Sequence, residues 1–158
     1  MPKPIQKDSP VSELRSHTGY WLRLVSNQVS KAFAAQLDEM GSSVAEWVVL
    51  REIYAAGGSV APSVVADLGG LTRGAVTKVI DRLLAKRLVT RRESISDRRY
   101  QDLCLTAEGK AVVPQLAAAA DRNDAAFFAA LSPSERMALL GLMKKLAKVH
   151  AMTNIPVD

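Results

Sequence analysis

The sequence predicts a mainly α-helical fold with one small β-hairpin, which directly follows a helix-turn-helix and has further helices on both sides. Three observations lead to this prediction. Apolar residues recur at helical spacing through most of the chain. Gly69-Gly70 makes a tight turn between two of the helices. The period then becomes alternating between Leu88 and Leu105. A hairpin directly after a helix-turn-helix is the arrangement of a winged helix.

The composition is that of a globular protein, since 48% of the 158 residues are hydrophobic and 23% are charged. No run approaches the roughly 18 to 20 apolar residues of a membrane span, and Met1–Pro10 lacks the apolar core of a secretory signal. The single cysteine, Cys104, permits neither an internal disulfide nor a cysteine-based zinc site. We therefore expect a cytoplasmic protein with no membrane contact, no cofactor and no metal.

Nearly all of the net charge of +5 comes from the middle third of the chain. Residues 1–59 carry six basic and six acidic side chains, whereas residues 60–105 carry nine basic against five acidic. Residues 106–158 carry six basic and five acidic side chains and add a net charge of only +1. This concentration favours a polyanionic partner, a nucleic acid, over a solvated surface with scattered charges.

Two helices are predicted before the middle third. The first runs from about Ser12 to Leu37, and Gly41 ends it. Ser43 and Glu46 have the spacing of a capping box and open the second helix, which Gly57-Gly58 ends.

The helix-turn-helix and hairpin follow. Pro62 opens a small helix that ends near Leu68, and Thr72 caps the next one, from about Arg73 to Lys86. The hairpin consists of a strand, a polar loop and a returning strand, which are Leu88–Arg92, Ser94–Tyr100 and Gln101–Leu105.

Two more helices are predicted after the hairpin. Thr106 caps one that runs to about Ala130, with Pro114 inside it, so we expect a kink or a later start there. Ser132-Pro133-Ser134-Glu135 opens the last helix. The apolar side of that helix faces a partner and contains Met137, Leu140, Met143, Leu146 and Val149.

The helix from Thr72 to Lys86 has two chemically different faces. The apolar face points into the core and contains Val76, Val79, Ile80 and Leu83. The opposite face contains Gly74, Thr77, Lys78 and Asp81, with Arg73 and Arg82 on its flanks. A recognition helix in a major groove needs base-reading groups near its N-terminus and flanking cations for phosphates. An ordinary amphipathic surface helix would show the same pattern.

The hairpin tip adds positive charge beside this helix. Ser96-Asp97-Arg98-Arg99 places two guanidinium groups there, and a narrow A·T-rich minor groove attracts arginines. Asp97 would weaken a surface that only attracts phosphate. We therefore expect it to brace an arginine by a bidentate contact before binding. A solvated turn is the alternative.

These segments resemble the multiple-antibiotic-resistance regulator (MarR) family of bacterial winged-helix repressors. The resemblance covers about Ser12 to Val149. It rests on segments in the family's order and spacing, which are Leu71–Leu83, Leu88-Val89, Asp97-Arg98-Arg99 and Leu103–Gly109.

The resemblance implies a homodimer with interlocking terminal helices, whose two lobes read a palindromic operator on double-stranded DNA. Arg73, Thr77 and Lys78 match the family's groove-facing positions. Arg82 matches a phosphate or wing-bracing position, and Arg99 matches the minor-groove arginine. With the helix start included, the predicted DNA-binding residues are Thr72, Arg73, Gly74, Thr77, Lys78, Arg82, Arg98 and Arg99. Pro114 departs from the family, in which this helix is unbroken.

The predicted organisation is a flexible tail, N-terminal helices for dimerisation and lobe support, the winged lobe, C-terminal dimerisation helices and a second tail. The corresponding ranges are 1–11, 12–58, 59–105, 106–151 and 152–158.

The resemblance also implies a small aromatic or phenolic anion bound between the dimer helices and the DNA-binding lobe. The candidate ligand-binding residues are His17, Tyr20, Trp21, Trp47 and Arg51. Tryptophan is usually a core or interface anchor, so a purely structural role is the alternative.

The predicted function is a transcriptional regulator, in particular a repressor that the ligand releases from DNA. The alternative is an architectural or ligand-independent module that binds DNA or protein. No enzyme is predicted, because two histidines and one cysteine accompany no phosphate loop, nucleophile elbow or metal-spaced set. Cys104 is out of phase with Leu103 and Leu105, so we expect an outward-facing bystander thiol.

Overall fold

The protein is described by a computed structural model that covers residues 11–67, 72–95, 97 and 99–153, with only the backbone of Arg73. The predicted turn at Gly69-Gly70 and most of both predicted tails lie outside these residues. Six helices and three strands occur in this part of the chain, which are α1 (Thr18–Glu39), α2 (Val44–Ala55), β1 (Ser59–Val60), α3 (Pro62–Ala66), α4 (Arg73–Ala85), β2 (Val89–Glu93), β3 (Gln101–Leu105), α5 (Ala107–Phe127) and α6 (Pro133–Val149).

The predicted winged helix is confirmed, with one strand more than the sequence indicated. The hairpin β2–β3 is antiparallel and pairs Val89 with Leu105. β1 adds to the other edge of β3, so that the strand order is β1-β3-β2. The two residues of β1 are too few to show an alternating pattern in the sequence.

The added strand changes the surroundings of Cys104, which was predicted to face outward. Ser59 pairs with Cys104 across the β1–β3 ladder. The thiol Sγ lies 3.2 Å from Ser59 Oγ, and the residue is half-buried. Leu103 and Leu105 point into the core as predicted, at 1% and 5% exposure. The alternation of the strand is therefore confirmed, but β1 partly covers its outer side.

The core lies between α2, α4, α5 and the inner face of the sheet. Large side chains below 2% exposure define its centre, among them Leu37, Leu50, Ile53, Leu83, Leu103 and Leu116. The predicted apolar face of α4 is buried at every position, since Val76, Val79, Ile80 and Leu83 are at most 8% exposed. Burial of that face fixes which side of α4 is presented outward.

The N-terminal helix begins later than the apolar spacing predicted. A short 3-10 turn, Leu14–Ser16, precedes α1, and the backbone at His17 is extended. The Ser16 hydroxyl donates to the carbonyl of Glu13 at 2.7 Å. The indole nitrogen of Trp21 donates to the carbonyl of Arg15 at 2.9 Å. These side-chain bonds satisfy the backbone in place of a continuous helix.

The predicted boundaries of α2 are confirmed by its caps. The Ser43 side chain accepts from the amide of Glu46, and the Glu46 carboxylate accepts from the amide of Ser43. α1 ends in a left-handed Gly41 with φ +71°, and the amide of Ser42 bonds the carbonyl of Leu37. Only glycine adopts that conformation without steric cost, which explains its position after α1.

Pro114 does not delay the start of α5, so of the two expected alternatives, a kink or a later start, the later start does not occur. The helix begins at Ala107 and includes the proline in its interior. Proline removes the hydrogen bond that the carbonyl of Lys110 would otherwise accept. The flanking side chains of Val113 and Leu116 are 2% and 1% exposed. Tertiary burial on both sides of the proline holds the helix together.

The junction between α4 and α5 depends on Thr106 and Gly109. The Thr106 hydroxyl caps α5 by accepting from the amide of Gly109 and donates to the carbonyl of Arg87 at 2.7 Å. An added Cβ at Gly109 would lie 2.0 Å from the carbonyl oxygen of Leu88. The glycine is therefore required because another backbone segment crosses it in contact.

The last helix buries none of its residues against the described part of the chain. Apolar side chains on it are exposed, namely Met137, Leu140, Leu142, Met143, Leu146 and Val149. Lys144, Lys145 and Lys148 lie on the side of the helical wheel opposite Leu142, Met143 and Leu146. None of the described helices has the length and hydrophobicity needed to cross a bilayer.

Candidate nucleic-acid interface

The outward face of α4 presents the predicted groove-facing residues to solvent. Gly74, Thr77, Lys78 and Arg82 are exposed, as is Asp81 between them. The Thr72 hydroxyl caps the helix by accepting from the amide of Ala75 at 3.2 Å. The side chain of Arg73 lies outside the described residues.

Gly74 is the second residue of this helix, and no other part of the described chain packs against it. A Cβ built at Gly74 would meet no described atom within 4 Å. Internal packing therefore does not explain a glycine here, in contrast to Gly109. A surface that approaches the first turn of α4 from outside would benefit from the missing side chain. The first turn also contains no acidic residue, so its free amides face an incoming phosphate without repulsion.

The wing carries the bidentate contact that the sequence predicted. Arg99 Nη2 donates to Asp97 Oδ2 at 2.8 Å, and Arg99 Nε donates to Oδ1 at 3.0 Å. The backbone amide of Arg99 also donates to Asp97 Oδ1 at 3.0 Å. The Arg99 side chain remains 84% exposed. The arginine is therefore held in one orientation while its outer edge faces solvent.

The two side chains stabilise each other's charged forms. The side-chain contact with Arg99, followed by the backbone bond, lowers the pKa of Asp97 below its ordinary value. The same contact raises the pKa of Arg99. Because the pKa of Asp97 is lowered, the contact persists at neutral pH and is lost only as the pH falls through that value. The other wing arginine, Arg98, lies outside the described residues.

A cleft brings the wing and α4 to the same side of the lobe. Its volume is about 280 Å³, and it is lined by Ile80 of α4, Pro62 of α3 and Arg99 of the wing. An adjoining cleft of about 420 Å³ lies between α3 and α4 and includes Thr77. The two clefts share Pro62 and Ile80, so Thr77 of α4 and Arg99 of the wing line adjoining clefts on the same side of the lobe.

Lys86, at the end of α4, has an ion-pair partner that the sequence did not indicate. It caps the C-terminus of α4 and forms an ion pair with Glu46, with 2.7 Å between Nζ and Oε2. The two residues are 40 positions apart, so the pairing has no local signal. Glu46 had been identified only as part of a capping box.

The candidate ligand residues are brought together only in part. His17 and Tyr20 line a shallow depression of about 370 Å³ along α1. Trp21 is half-exposed and meets the ring of Tyr20 edge-on, with 5.2 Å between the ring centroids. Trp47 packs against the core from α2, and Arg51 is exposed on the same helix. Neither Trp47 nor Arg51 lines the depression around His17.

Comparisons with known proteins agree with this architecture. A model of the MarR family matches residues 41–99, which include α4 and most of the wing. A protein from Thauera aromatica, described as a proposed transcriptional regulatory protein for the hcr operon, is 31% identical over 104 residues. The match covers 66% of this chain and 63% of the relative, so the chain spans somewhat less than two thirds of that protein's length.

Two solved structures share the fold across nearly their full length. BpsR of Bordetella bronchiseptica, whose DNA binding is regulated by 6-hydroxynicotinic acid, superimposes with a TM-score of 0.73 at 25% identity. That match covers 87% of this chain and 97% of BpsR. A cysteine-to-serine mutant of MarR from E. coli in complex with operator DNA superimposes with a TM-score of 0.71 at 24% identity, covering 85% and 99% of the two chains. The winged-helix lobe therefore matches the MarR family model, and the described chain has the fold of these two structures.

Proposed function

We propose that this protein is a transcriptional regulator that binds a near-palindromic duplex operator as a homodimer and represses transcription. The observation that carries the proposal is the common surface of α4 and the wing. It combines an exposed polar helix face, which includes Thr77 and Lys78, with an arginine that Asp97 holds in place. The Thauera aromatica relative is described as a transcriptional regulatory protein and BpsR as a protein that binds DNA, which supports a binding function rather than catalysis.

The two parts of the surface suit the two grooves of DNA. Thr77 and Lys78 lie on the second turn of α4, where a helix inserted in a major groove reaches base edges. Arg99 lies on the wing, from which it would enter the adjacent minor groove. Because Asp97 already orients the guanidinium, little side-chain entropy is lost when it binds.

Dimer formation is supported by the exposed apolar side of α6. Leu146 is 52% exposed and Val149 is 69% exposed in the single chain, although both belong to an apolar stripe. Such a stripe on a helix that buries none of its residues in the described chain indicates a second copy of the same chain, with the two lobes related by a two-fold axis. A two-fold dimer would read a site with matching symmetry.

Selection of bound duplexes from a random pool, followed by titration across a salt series, tests the function. The affinity for the selected site should fall with a slope of roughly −0.9 per phosphate neutralised. Lys78→Ala should lose about 1 to 3 kcal/mol at one base pair of each half-site and relax the preference there. Lys144→Ala, on the polar side of α6, is the matched control. Equal affinity of the wild type for all duplexes would refute a specific reader.

The braced arginine predicts a dependence on flanking sequence. Arg99→Ala should weaken binding most on operators with A·T-rich flanks, where the minor groove is narrow and its potential most negative. Asp97→Asn should weaken the same operators, because the guanidinium loses its fixed orientation. Simple electrostatics predicts the opposite for Asp97→Asn, since that change removes a negative charge from the surface. Affinities measured on matched A·T- and G·C-flanked sites distinguish the two. An Arg99→Ala loss that is equal on both flanks would contradict minor-groove reading.

We further propose that a small aromatic acid or phenol lowers operator affinity by binding beside α1. The regulation of BpsR by 6-hydroxynicotinic acid supports this class of ligand. The depression around His17 and Tyr20 offers an aromatic edge and a hydrogen-bonding ring, and Arg23 at its rim supplies a cation. Trp47 and Arg51 belong to the proposed site if the second lobe of a dimer completes it. A ligand that favours a lobe spacing unlike that of the operator would release the protein.

Tryptophan fluorescence during titration with benzoates, phenols and heteroaromatic acids tests the ligand. A compound that binds should quench Trp21 and lower operator affinity about 5- to 150-fold, which corresponds to a coupling of 1 to 3 kcal/mol. His17→Ala and Arg51→Ala should each weaken both effects, whereas Arg122→Ala on α5 should not. If quenching and release survive Arg51→Ala for such a compound, Arg51 does not belong to the site. If no compound of the panel lowers operator affinity, the result would favour a ligand-independent regulator.

A further inference from the structure

Three elements of the chain meet at one buried carboxylate, that of Glu46. Its side chain is 2% exposed and lies in the first turn of α2. Oε2 accepts from the amide of Ser43 at 3.0 Å and from the hydroxyl of Ser42 at 3.4 Å. Lys86, at the C-terminal cap of α4, donates to Oε1 at 2.9 Å and to Oε2 at 2.7 Å. The capping box of α2 is thus joined to the end of the recognition helix.

The same ammonium also contacts the end of α1. Lys86 Nζ donates to the carbonyl oxygen of Gly41 at 2.7 Å. Gly41 directly follows the last turn of α1, and the next residue, Ser42, closes that helix through the carbonyl of Leu37. One lysine side chain therefore connects α4 to both N-terminal helices.

The local electrostatics favour this arrangement. A carboxylate at the N-terminus of α2 and an ammonium at the C-terminus of α4 each oppose the partial charge of their helix end. The burial of Glu46 limits screening of the pair by salt, although 39% of the Lys86 side chain remains exposed. A buried ion pair adds less to stability than its Coulomb energy suggests, but it restricts the geometry of the groups it joins.

We propose that Glu46 and Lys86 form a positioning pair that sets the orientation of the recognition helix relative to α1. This inference rests on the proposed function, since its effect is on the spacing of two lobes over two half-sites. His17 directly precedes α1 and Tyr20 lies in its first turn, whereas Gly41, which Lys86 contacts, lies just beyond its other end. A change in the angle between α1 and α4 would strain the contacts of Lys86 with Gly41 and with Glu46. The pair therefore transmits the position of α1 to the DNA-reading face.

The effect of Glu46→Gln on the affinity for DNA has opposite signs under positioning and under simple electrostatics. Removing a negative charge from a DNA-binding lobe should by itself raise the affinity for every duplex. Positioning predicts a roughly tenfold loss of affinity for the selected operator and no loss on an unrelated duplex of equal length. The preference for one half-site spacing should also broaden when operators with inserted base pairs are compared.

Lys86→Gln provides the second measurement, at the partly exposed partner of the pair. It should give the same selective loss with an unchanged salt slope, and Lys86→Arg should restore most of the preference. If Lys86 instead contacts a phosphate, Lys86→Gln weakens all duplexes alike and the salt slope becomes smaller by about one. Folding of both variants is checked by circular dichroism. If Glu46→Gln does not fold, the positioning role is tested with Lys86→Gln, because Lys86 is partly exposed.

The capping box of α6 supplies the matched control. The amide of Ser132 donates to Glu135 Oε2 at 2.8 Å, in the same geometry as the pair Ser43 and Glu46. Glu135→Gln should leave the ratio of operator to unrelated affinity unchanged. A wild type without operator preference would refute the proposed function and not the pair. With a specific wild type, an unchanged ratio and spacing preference in both Glu46→Gln and Lys86→Gln would overturn the positioning role.

Discussion

Removal of the last helix from Ser132 onward is expected to abolish the dimer and with it operator binding. α6 buries none of its residues within the described chain, and in the proposed dimer a second copy covers its apolar side. Without the dimer, the two lobes are no longer linked, and each half-site must bind a separate monomer. The affinity for the whole operator should therefore fall about 10²- to 10⁴-fold. Size-exclusion chromatography with light scattering should show monomers or insoluble protein.

A point substitution tests the same surface without truncation. Leu146→Asp places a charge in the middle of the exposed apolar stripe and should shift the protein to monomers. Lys145→Asp, one residue away on the polar side, changes the charge by more and should leave the dimer intact. A soluble monomer lacking α6 that still binds the selected operator at wild-type affinity would refute the assignment of the chain ends.

Gly109→Ala is expected to be the most damaging single methyl addition among the described glycines. The new Cβ would lie 2.0 Å from the carbonyl oxygen of Leu88 and 3.2 Å from a methyl of Leu105. The carbonyl cannot move freely, because the amide of Thr106 bonds to it at 3.1 Å. We expect a loss of about 3 kcal/mol in the free energy of unfolding, or a melting temperature lower by roughly 6 to 12 °C.

Gly141→Ala is the matched control for this prediction. It lies inside α6, and a Cβ there would meet no described atom within 4 Å. The change should raise stability by about 0.5 to 1 kcal/mol through helix propensity. Thermal and denaturant unfolding of both variants measure the difference. A Gly109→Ala protein as stable as the wild type would show that α5 can move away from Leu88.

The local signals in the sequence predicted the helix ends well. The capping boxes at Ser43 and Ser132 and the cap at Thr106 each involve residues within three positions of one another, and all three are present. The bidentate contact between Asp97 and Arg99 is likewise local and was predicted. Where both partners lie within one turn or one loop, residue type and spacing are sufficient to predict the contact.

Predictions failed or were incomplete where the decisive partner is distant in sequence. β1 forms only because β3, more than 40 residues later, offers a free edge to its two residues. The helix α5 continues through Pro114 because Val113 and Leu116 are buried around it, which outweighs one missing hydrogen bond. The residue types near the start of α1 could not show that the helix begins after His17. The carbonyl of Arg15 accepts from the indole of Trp21 instead of a helical backbone amide.

The sequence by itself determined the winged-helix class, the outward face of α4 and the braced arginine, because periodicity and short-range hydrogen bonds are written in neighbouring residues. The tertiary structure alone decided how these parts are fixed to one another. Gly109 is needed because the backbone of Leu88 crosses it, and Lys86 joins Glu46 and Gly41 across about 40 positions. Such contacts depend on how the helices pack, and packing is set by the burial of the whole core rather than by any one segment.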